Sequence, residues 1–302
     1  MSKIYSVNEW DLLEQIVVGD ARGANWPTDL LNFETAWTET PIPQGPVPEH
    51  VTDTAQRELD DLARVLQDLG VEVLRPTQHD FTKTAGFYNY CPRDRLLIVG
   101  DTVVVPNMMM PCRDQEEQFL DFVIQGAGRV LRMPDVPGMV MDAANVCRIN
   151  DTLLVLRSQS ASDSAIAWLA EQFPDHTVEV CDFYGGTHID STVAPVRDGL
   201  VVLNASRVNE QNCPQVFNGW QKIWVQDLVP RDFYQYPYAS KWIGMNMLAV
   251  DPQCVVVDSL QTELIAQLEQ HRFTVIPMTL THCRTMGGGF HCVTLDTRRN
   301  HD

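Results

Sequence analysis

Apolar residues recur along this chain in two alternating rhythms. From Thr54 to Leu69 (TAQRELDDLARVLQDL) they fall at helical spacing, Gly70 marks a stop, and Val71–Leu74 reads as a strand. Two β-rich runs follow, Arg95–Val99 and Thr102–Val105, joined by Gly100-Asp101. The cycle then repeats. Asp114–Gln125 reads as a helix, Val130–Met133 as a strand, and Val146–Ile149 with Leu153–Leu156 as a hairpin turning at Asn150-Asp151. Ser162–Phe173 is a helix, Thr177–Val180 a strand, and Ser191–Val196 with Leu200–Leu203 a hairpin turning at Asp198-Gly199. A short helix near Gln215–Asn218 precedes strands at Ile223–Val225, Met245–Val250 and Cys254–Val257. Glu263–Gln270 is a helix, Thr274–Met278 a strand, and Phe290–Leu295 a last strand. The unmated Glu14–Val18 is its expected hairpin partner.

These are hairpin–helix–strand units at a period of roughly 50 residues, which predicts an α/β radial assembly with few open sheet edges. The expectation is one domain over 1–302, with the N- and C-terminal strands closing the ring. The Pro-rich stretch Pro41–Pro48 (PIPQGPVP) reads as a surface loop ahead of the first helix. Polar residues cluster where each hairpin begins: Asp94, then Asp142 and Asn145, then His188 and Asp190, then Ser240, then Cys292. In a radial repeat those positions converge on one axis.

Composition narrows the partners. The 302 residues are 44% hydrophobic and 21% charged, ordinary for a globular protein. No apolar run reaches the ~18–20 residues of a membrane helix. The opening MSKIYSVNEWDLLEQ carries Glu9 and Asp11 and lacks the apolar core of a signal peptide. A formal net charge of −18 disfavours nucleic acid and suits a small cation. Cys91, Cys112, Cys147, Cys181, Cys213, Cys254, Cys283 and Cys292 are scattered without paired metal spacing, as expected of a reducing cytoplasm. A homodimer is the base-rate expectation for assembly.

The chemistry gathers at a few positions. His188-Ile189-Asp190 is expected to open a strand, where residues i and i+2 share a face. Met286-Gly287-Gly288-Gly289-Phe290-His291-Cys292 places a thiol after three glycines, which permit close backbone approach to a ligand. Asp142 lies among small residues, and Asp94 just ahead of an apolar strand. A thiol becomes nucleophilic near neutral pH when a cation lowers its pKa. His188 as an imidazolium, helped by a bound cation, is the expected source. A guanidinium is planar, charged and a poor electrophile. Attack on it needs carboxylates gripping its N–H groups, an aimed thiolate, and an acid for the leaving amine. Cys292 fits attack, His188 proton transfer, Asp142 orientation of His188, and Asp94 with Asp190 the grip.

Taken together, HIDSTVAPVRDGLVVLNASR, MDAAN, NEWDLLEQIVVG, CPRD, SKWIGMN and GGGFHCVTLDTRR resemble the arginine-dependent amidinotransferases, across nearly the whole chain. Arg207–Glu210, the Gly219-Trp220 region and LTHCRTMGGGFHC are most similar to the inosamine-phosphate members. The resemblance implies a five-module pseudo-symmetric α/β-propeller (pentein) fold. It implies Cys292 as nucleophile, His188 as general acid/base and Asp142 as its partner. It also implies Asp94 and Asp190 on the guanidinium, with Arg207 and Ser240 on the arginine α-carboxylate. Two departures stand out. Ala239-Ser240 replaces a serine pair, and the segment between Pro106 and Asp142 (NMMMPCRDQEEQFLDF and beyond) is short for the family and lacks its arginine-bearing helix pattern.

The expected reaction moves the amidino group of L-arginine through an amidino-cysteine to an amine, an aminocyclitol phosphate, glycine or another natural-product amine, and releases L-ornithine. No metal or organic cofactor is called for. A deiminase-type hydrolase would use the same residues with water as acceptor. A non-catalytic propeller would have no use for Cys292, His188, Asp142 and Asp190 together. A zinc protein would need ligands at a spacing that this chain lacks.

Overall fold

The computed structural model describes residues 4–27, 43–84 and 86–301. Its architecture is α/β, built on five separate three-stranded sheets and a two-stranded ribbon. Within each three-stranded sheet an antiparallel pair is extended by one parallel strand. Leu97–Val99 pairs with Thr102–Val105, which takes Arg129–Arg132 in parallel. Val146–Ile149, Thr152–Leu156 and Thr177–Cys181 repeat this arrangement. So do Val193–Arg197, Leu200–Asn204 and Gln221–Val225, and then Leu248–Asp251, Cys254–Asp258 and Thr274–Met278. In the fifth sheet, Leu12–Val18 pairs antiparallel with Thr294–Asn300 and parallel with Glu72–Leu74. The terminal strands therefore do pair, while no sheet among the described residues closes on itself.

The sequence accounts for the strand positions within each sheet. The middle strands Thr102–Val105 (TVVV) and Cys254–Asp258 (CVVVD) are apolar runs buried throughout, as strands covered on both faces must be. The parallel third strands form the outer edge and carry polar residues, as in RVLR at Arg129–Arg132 and QKIWV at Gln221–Val225. A parallel crossover needs a long connection, usually a helix. Glu49–Asp68, Asp121–Gly126, Asp163–Gln172 and Thr262–Gln270 supply four of them. The sheet of Val193–Arg197, Leu200–Asn204 and Gln221–Val225 instead uses the single 3-10 turn Gln215–Phe217. The long helix begins at Glu49, ahead of the predicted Thr54, because the Pro48 carbonyl receives the Val51 and Thr52 N–H groups. It buries Leu59, Leu62 and Leu66 completely.

Three expected elements differ. The helix predicted over Asp114–Gln125 is a 3-10 turn, Glu116–Leu120, followed by the short helix Asp121–Gly126; Glu116 faces inward to a buried arginine instead of outward to solvent. The strand predicted over Met245–Val250 starts only at Leu248, after the 3-10 turn Lys241–Met245. The last strand is Thr294–Asn300 instead of Phe290–Leu295, because residues 289–294 coil through Val293 N–H to Gly289 O and Thr294 N–H to His291 O. Within the predicted Pro41–Pro48 loop, 41 and 42 lie outside the described residues, and Gly45–Pro46 pairs with Asn25–Trp26. No helix among the described residues is long and apolar enough to cross a membrane.

A buried ionic hub ties sheets together. Arg148 is 1% exposed and donates to Glu9 and Asp296, to Ser6 Oγ at 2.7 Å and to Ile98 O at 3.3 Å. Arg93 and Arg299 add cations to Asp296.

Candidate active site

The functional side chains sit on turns at the entrance to the first strand of each sheet. Asp94 ends the 3-10 turn Pro92–Asp94, and Asp142 caps the turn Ala143–Asn145. His188 and Asp190 were expected on a strand, but that strand begins at Val193. Asp190 lies in a turn closed by Thr192 N–H to Ile189 O at 2.8 Å, and His188, just ahead of it, takes a left-handed φ of 61°. Backbone strain of this kind in a non-glycine residue persists where surroundings enforce it. Here the His188 N–H is taken by Asn145 Oδ1 at 3.1 Å, and its carbonyl by the Tyr184 hydroxyl. The turn and the strained His188 backbone, and not strand alternation, set the directions of the two side chains.

Cys292 likewise precedes its strand. Of the three glycines before it, only Gly287 uses a left-handed φ, 82°. The other two are needed for space. A Cβ on Gly288 would lie 2.4 Å from Cys91 Sγ, and one on Gly289 would lie 2.7 Å from Asn246 Cβ. Those contacts seat the thiol against Asn246, whose Nδ2 donates to Cys292 Sγ at 3.2 Å and whose Oδ1 receives the Cys292 N–H at 2.9 Å.

Around the sulfur the predicted set assembles. Asp190 Oδ2 is 3.2 Å from Cys292 Sγ. His188 Nε2 is 3.0 Å from Asp142 Oδ2, and its Nδ1 is 3.6 Å from Asp94 Oδ1. One donor atom each from Asp94, His188 and Cys292 lies within 4.8 Å of the others. The repeat positions anticipated that these three converge, but no metal-ligand spacing in the sequence marked them as a set offering the thiolate, imidazole and carboxylate types that zinc takes. Cys292, Asp94, Asp142 and Asp190 are buried, and His188 is the most open member, with 17% of its side chain exposed.

The electrostatics differ from expectation. Burial pushes the Cys292 thiol well above its ordinary pKa, and the charges of Asp190 and Asp94 push it the same way. An imidazolium nearby does not offset them. Burial would lower the His188 pKa, but Asp94 and then Asp142 outweigh it and hold the ring at about 9. Burial would raise Asp190, yet the His291 hydrogen bond, with the charges of His291 and His188, brings it to about 2. Near neutral pH these influences favour a thiol at Cys292 beside an imidazolium at His188. A cation entering between the carboxylates would supply what the thiolate lacks.

The remaining predicted residues lie farther out. Arg207 donates to Thr192 Oγ1 at 2.7 Å and Ser191 Oγ at 3.2 Å, and stacks 3.8 Å over the Tyr184 ring, so it braces the His188–Asp190 turn. Ser240 is exposed and caps the Lys241–Met245 turn through the Trp242 N–H. Asp94 carries an unexpected guest, Arg113, whose Nη1 is 2.7 Å from Asp94 Oδ2. Sequence reasoning also left Asn246 and His291 unassigned, although both stand inside the motifs SKWIGMN and GGGFHC. His291 joins Asp190 Oδ2 at 2.9 Å to Glu9 Oε2 at 3.3 Å. A narrow cavity is lined by Asp190, His291, Glu9 and apolar residues including Met247, and it does not include Cys292.

Fold and site together define an α/β protein with a buried thiol, imidazole and carboxylates on converging turns. No protein-family model matches the chain. An inosamine-phosphate amidinotransferase of Streptomyces griseus is 39% identical over 339 aligned positions, covering 99% of this chain and 98% of the relative. The L-arginine:L-lysine amidinotransferase of Pseudomonas savastanoi pv. phaseolicola is 29% identical, covering 99% of this chain and 95% of that protein. The solved structure of the inosamine-phosphate amidinotransferase StrB1 of Streptomyces griseus superimposes with a TM-score of 0.93 at 39% identity, covering 100% and 98% of the two chains. DDAH of Pseudomonas aeruginosa shares the fold alone, with a TM-score of 0.70 at 14% identity over 94% of this chain and 99% of that one. The chain belongs to the amidinotransferase family, whose members are transferases.

Proposed function

We propose that this protein takes the amidino group from L-arginine onto Cys292 and passes it to a primary amine, releasing L-ornithine. The observation that carries the reading is the approach of Cys292 Sγ to Asp190 at 3.2 Å, with His188 and Asp94 completing one cluster. Two carboxylates near one sulfur suit a planar cation whose central carbon must face that sulfur.

The guanidinium binds between Asp94 and Asp190, and its charge favours loss of the thiol proton to solvent. The thiolate attacks the central carbon. The His188 imidazolium, steadied by Asp142, gives its proton to the departing δ-nitrogen, and the C–N bond breaks. The resulting amidino-cysteine is attacked by the acceptor amine, whose surplus proton goes to His188 as the sulfur leaves. Burial of the reacting atoms keeps water from competing. Arg207 and Ser240 are assigned to the α-carboxylate of arginine.

An aminocyclitol phosphate is the first acceptor to try, given the named relatives, followed by glycine and other natural-product amines. The working form is a single domain over 1–302, its five sheets arranged as the blades of a ring joined by the terminal strands, acting in the cytoplasm. Mixing the protein with arginine should give a transient amidino adduct on Cys292 by mass spectrometry, and Cys292→Ala should lack it. An adduct unchanged in the alanine variant would sink the mechanism. Citrulline instead of ornithine among the products would assign water as the acceptor.

A further inference from the structure

The carboxylate assigned to one side of the substrate cation already holds a guanidinium belonging to the chain. Arg113 is 4% exposed, and its three nitrogens are all engaged. Nη1 reaches Asp94 Oδ2 at 2.7 Å, Nε and Nη2 fork onto Glu116 at 2.9 to 3.1 Å, and Nη2 also reaches Cys91 O at 3.2 Å. The Tyr88 ring lies beneath it, 5.0 Å from the guanidinium carbon. Only one oxygen of Asp94 is occupied in this way. Oδ1 is buried and makes no hydrogen bond, and it is the oxygen 3.6 Å from His188 Nδ1. A buried carboxylate oxygen without a donor is costly. An oxygen left so while its twin is locked is one kept for a ligand.

The same stretch of chain serves the second carboxylate. The Met109 N–H donates to Asp142 Oδ1 at 2.9 Å, leaving Oδ2 for His188. The stretch is itself fastened, through Met108 N–H to Asp114 Oδ1 at 3.1 Å and Arg113 N–H to Met110 O at 2.9 Å. Asp94 and Asp142 are thus each held by one oxygen from this short segment, and each turns its other oxygen to the imidazole.

We propose that Arg113 is a positioning residue for the donor half of the reaction, pinning Asp94 through Oδ2 so that Oδ1 receives the guanidinium of the incoming substrate. The inference rests on the reading that Asp94 takes that cation. Arg113 acts chiefly on binding: its loss frees Asp94 to rotate away, so arginine binds less well, while Cys292, His188 and Asp142 keep their contacts with Asn246 and with one another. Glu116 holds Arg113 from behind, and a lysine, whose ammonium is a point charge without the fork, can reproduce the pin only in part.

The test is the rate of adduct formation on Cys292 against arginine concentration, for the unaltered protein, Arg113→Met, Arg113→Lys and Glu116→Gln. The half-saturating arginine concentration is expected to rise about tenfold or more in Arg113→Met, with a much smaller change in the maximal rate. Arg113→Lys should recover part of the loss, and Glu116→Gln should move the same way as Arg113→Met by a smaller factor. Should the methionine variant fail to fold, the lysine and glutamine variants carry the comparison. Unchanged half-saturation, a fall confined to the maximal rate, or tighter arginine binding, as an occluding residue would give, overturns the proposal. Absence of any adduct in the unaltered protein overturns the donor-site reading and this inference together, whereas a normal adduct with indifferent variants overturns the inference alone.

Discussion

The carboxamide of Asn246 holds Cys292 at two points, its nitrogen 3.2 Å from the sulfur and its oxygen 2.9 Å from the backbone N–H. One side chain therefore fixes where the thiol stands and offers it a donor. A hydrogen bond to a charged group contributes roughly 1.5–3 kcal/mol. Asn246→Ala should slow adduct formation from arginine by about ten- to a hundredfold, read as a single-turnover rate by quenched mass spectrometry. A variant that loads at the normal rate would remove Asn246 from the account.

Asp190 should show opposite effects on two reactions of one sulfur. Its charge raises the Cys292 pKa, behind burial in size. Asp190→Asn removes that charge, so more thiolate is present at a given pH and iodoacetamide should alkylate Cys292 faster. The same change removes one grip on the substrate and should slow loading from arginine roughly ten- to a hundredfold. Slower alkylation would show that the carboxylate does not oppose the thiolate.

The imidazole of His188 stands at about 9, with Asp94 and Asp142 outweighing burial. Loading needs the protonated ring, so its rate should fall as pH rises past that value. Asp142→Asn removes a stabiliser of the cation, which lowers the pKa and moves the basic limb toward neutral pH. It should also cost about a hundredfold or more in rate. A basic limb that stays in place would assign the limb to another group.

Arg148 is the centre of a buried charge cluster, and its removal leaves Glu9 and Asp296 short of a partner. Loss of one member of such a cluster costs roughly 3–5 kcal/mol. Arg148→Met should therefore lower the denaturant midpoint without changing its slope. Burial works to raise both acids, but Arg148, together with His291 and Arg93 at Glu9 and with Arg93 and Arg299 at Asp296, outweighs it and holds each well below the usual carboxylate range. Groups with depressed folded-state pKa values stabilise above the unfolded value, near 4, and lose that contribution as pH falls through the folded one. The unaltered protein should lose stability below about pH 4, and the methionine variant should lose less over that interval. Equal acid losses in the two would place the pH dependence elsewhere.

The regular elements were legible because burial writes a period into the sequence. The Thr102–Val105, Val146–Ile149 and Thr274–Met278 strands begin and end where the apolar runs do. The turns that carry the chemistry were not, since remote side chains shape them. Nothing local to His188 shows that Asn145 will take its N–H, and nothing near Cys292 shows that Asn246 will clamp it. The 107–120 segment misled for a related reason. Glu116 reads as a polar position on the helix expected over Asp114–Gln125, and its burial as a matched pair with Arg113 turns it inward. The family motifs supplied the types of site residue, and the structure supplied who holds whom.

Glu9 belongs to two circles at once. It answers Arg148 in the hub, and it reaches His291, which in turn holds the Asp190 beside the sulfur. The scaffold's charge balance and the reactivity of the thiol are therefore one sum, shared through a single glutamate and a histidine. Neither circle can be altered alone without cost: a lone exchange at Glu9 would strand the buried Arg148 charge and release His291 from its second carboxylate. Change there should proceed by compensating pairs, while the outward faces of the edge strands drift freely.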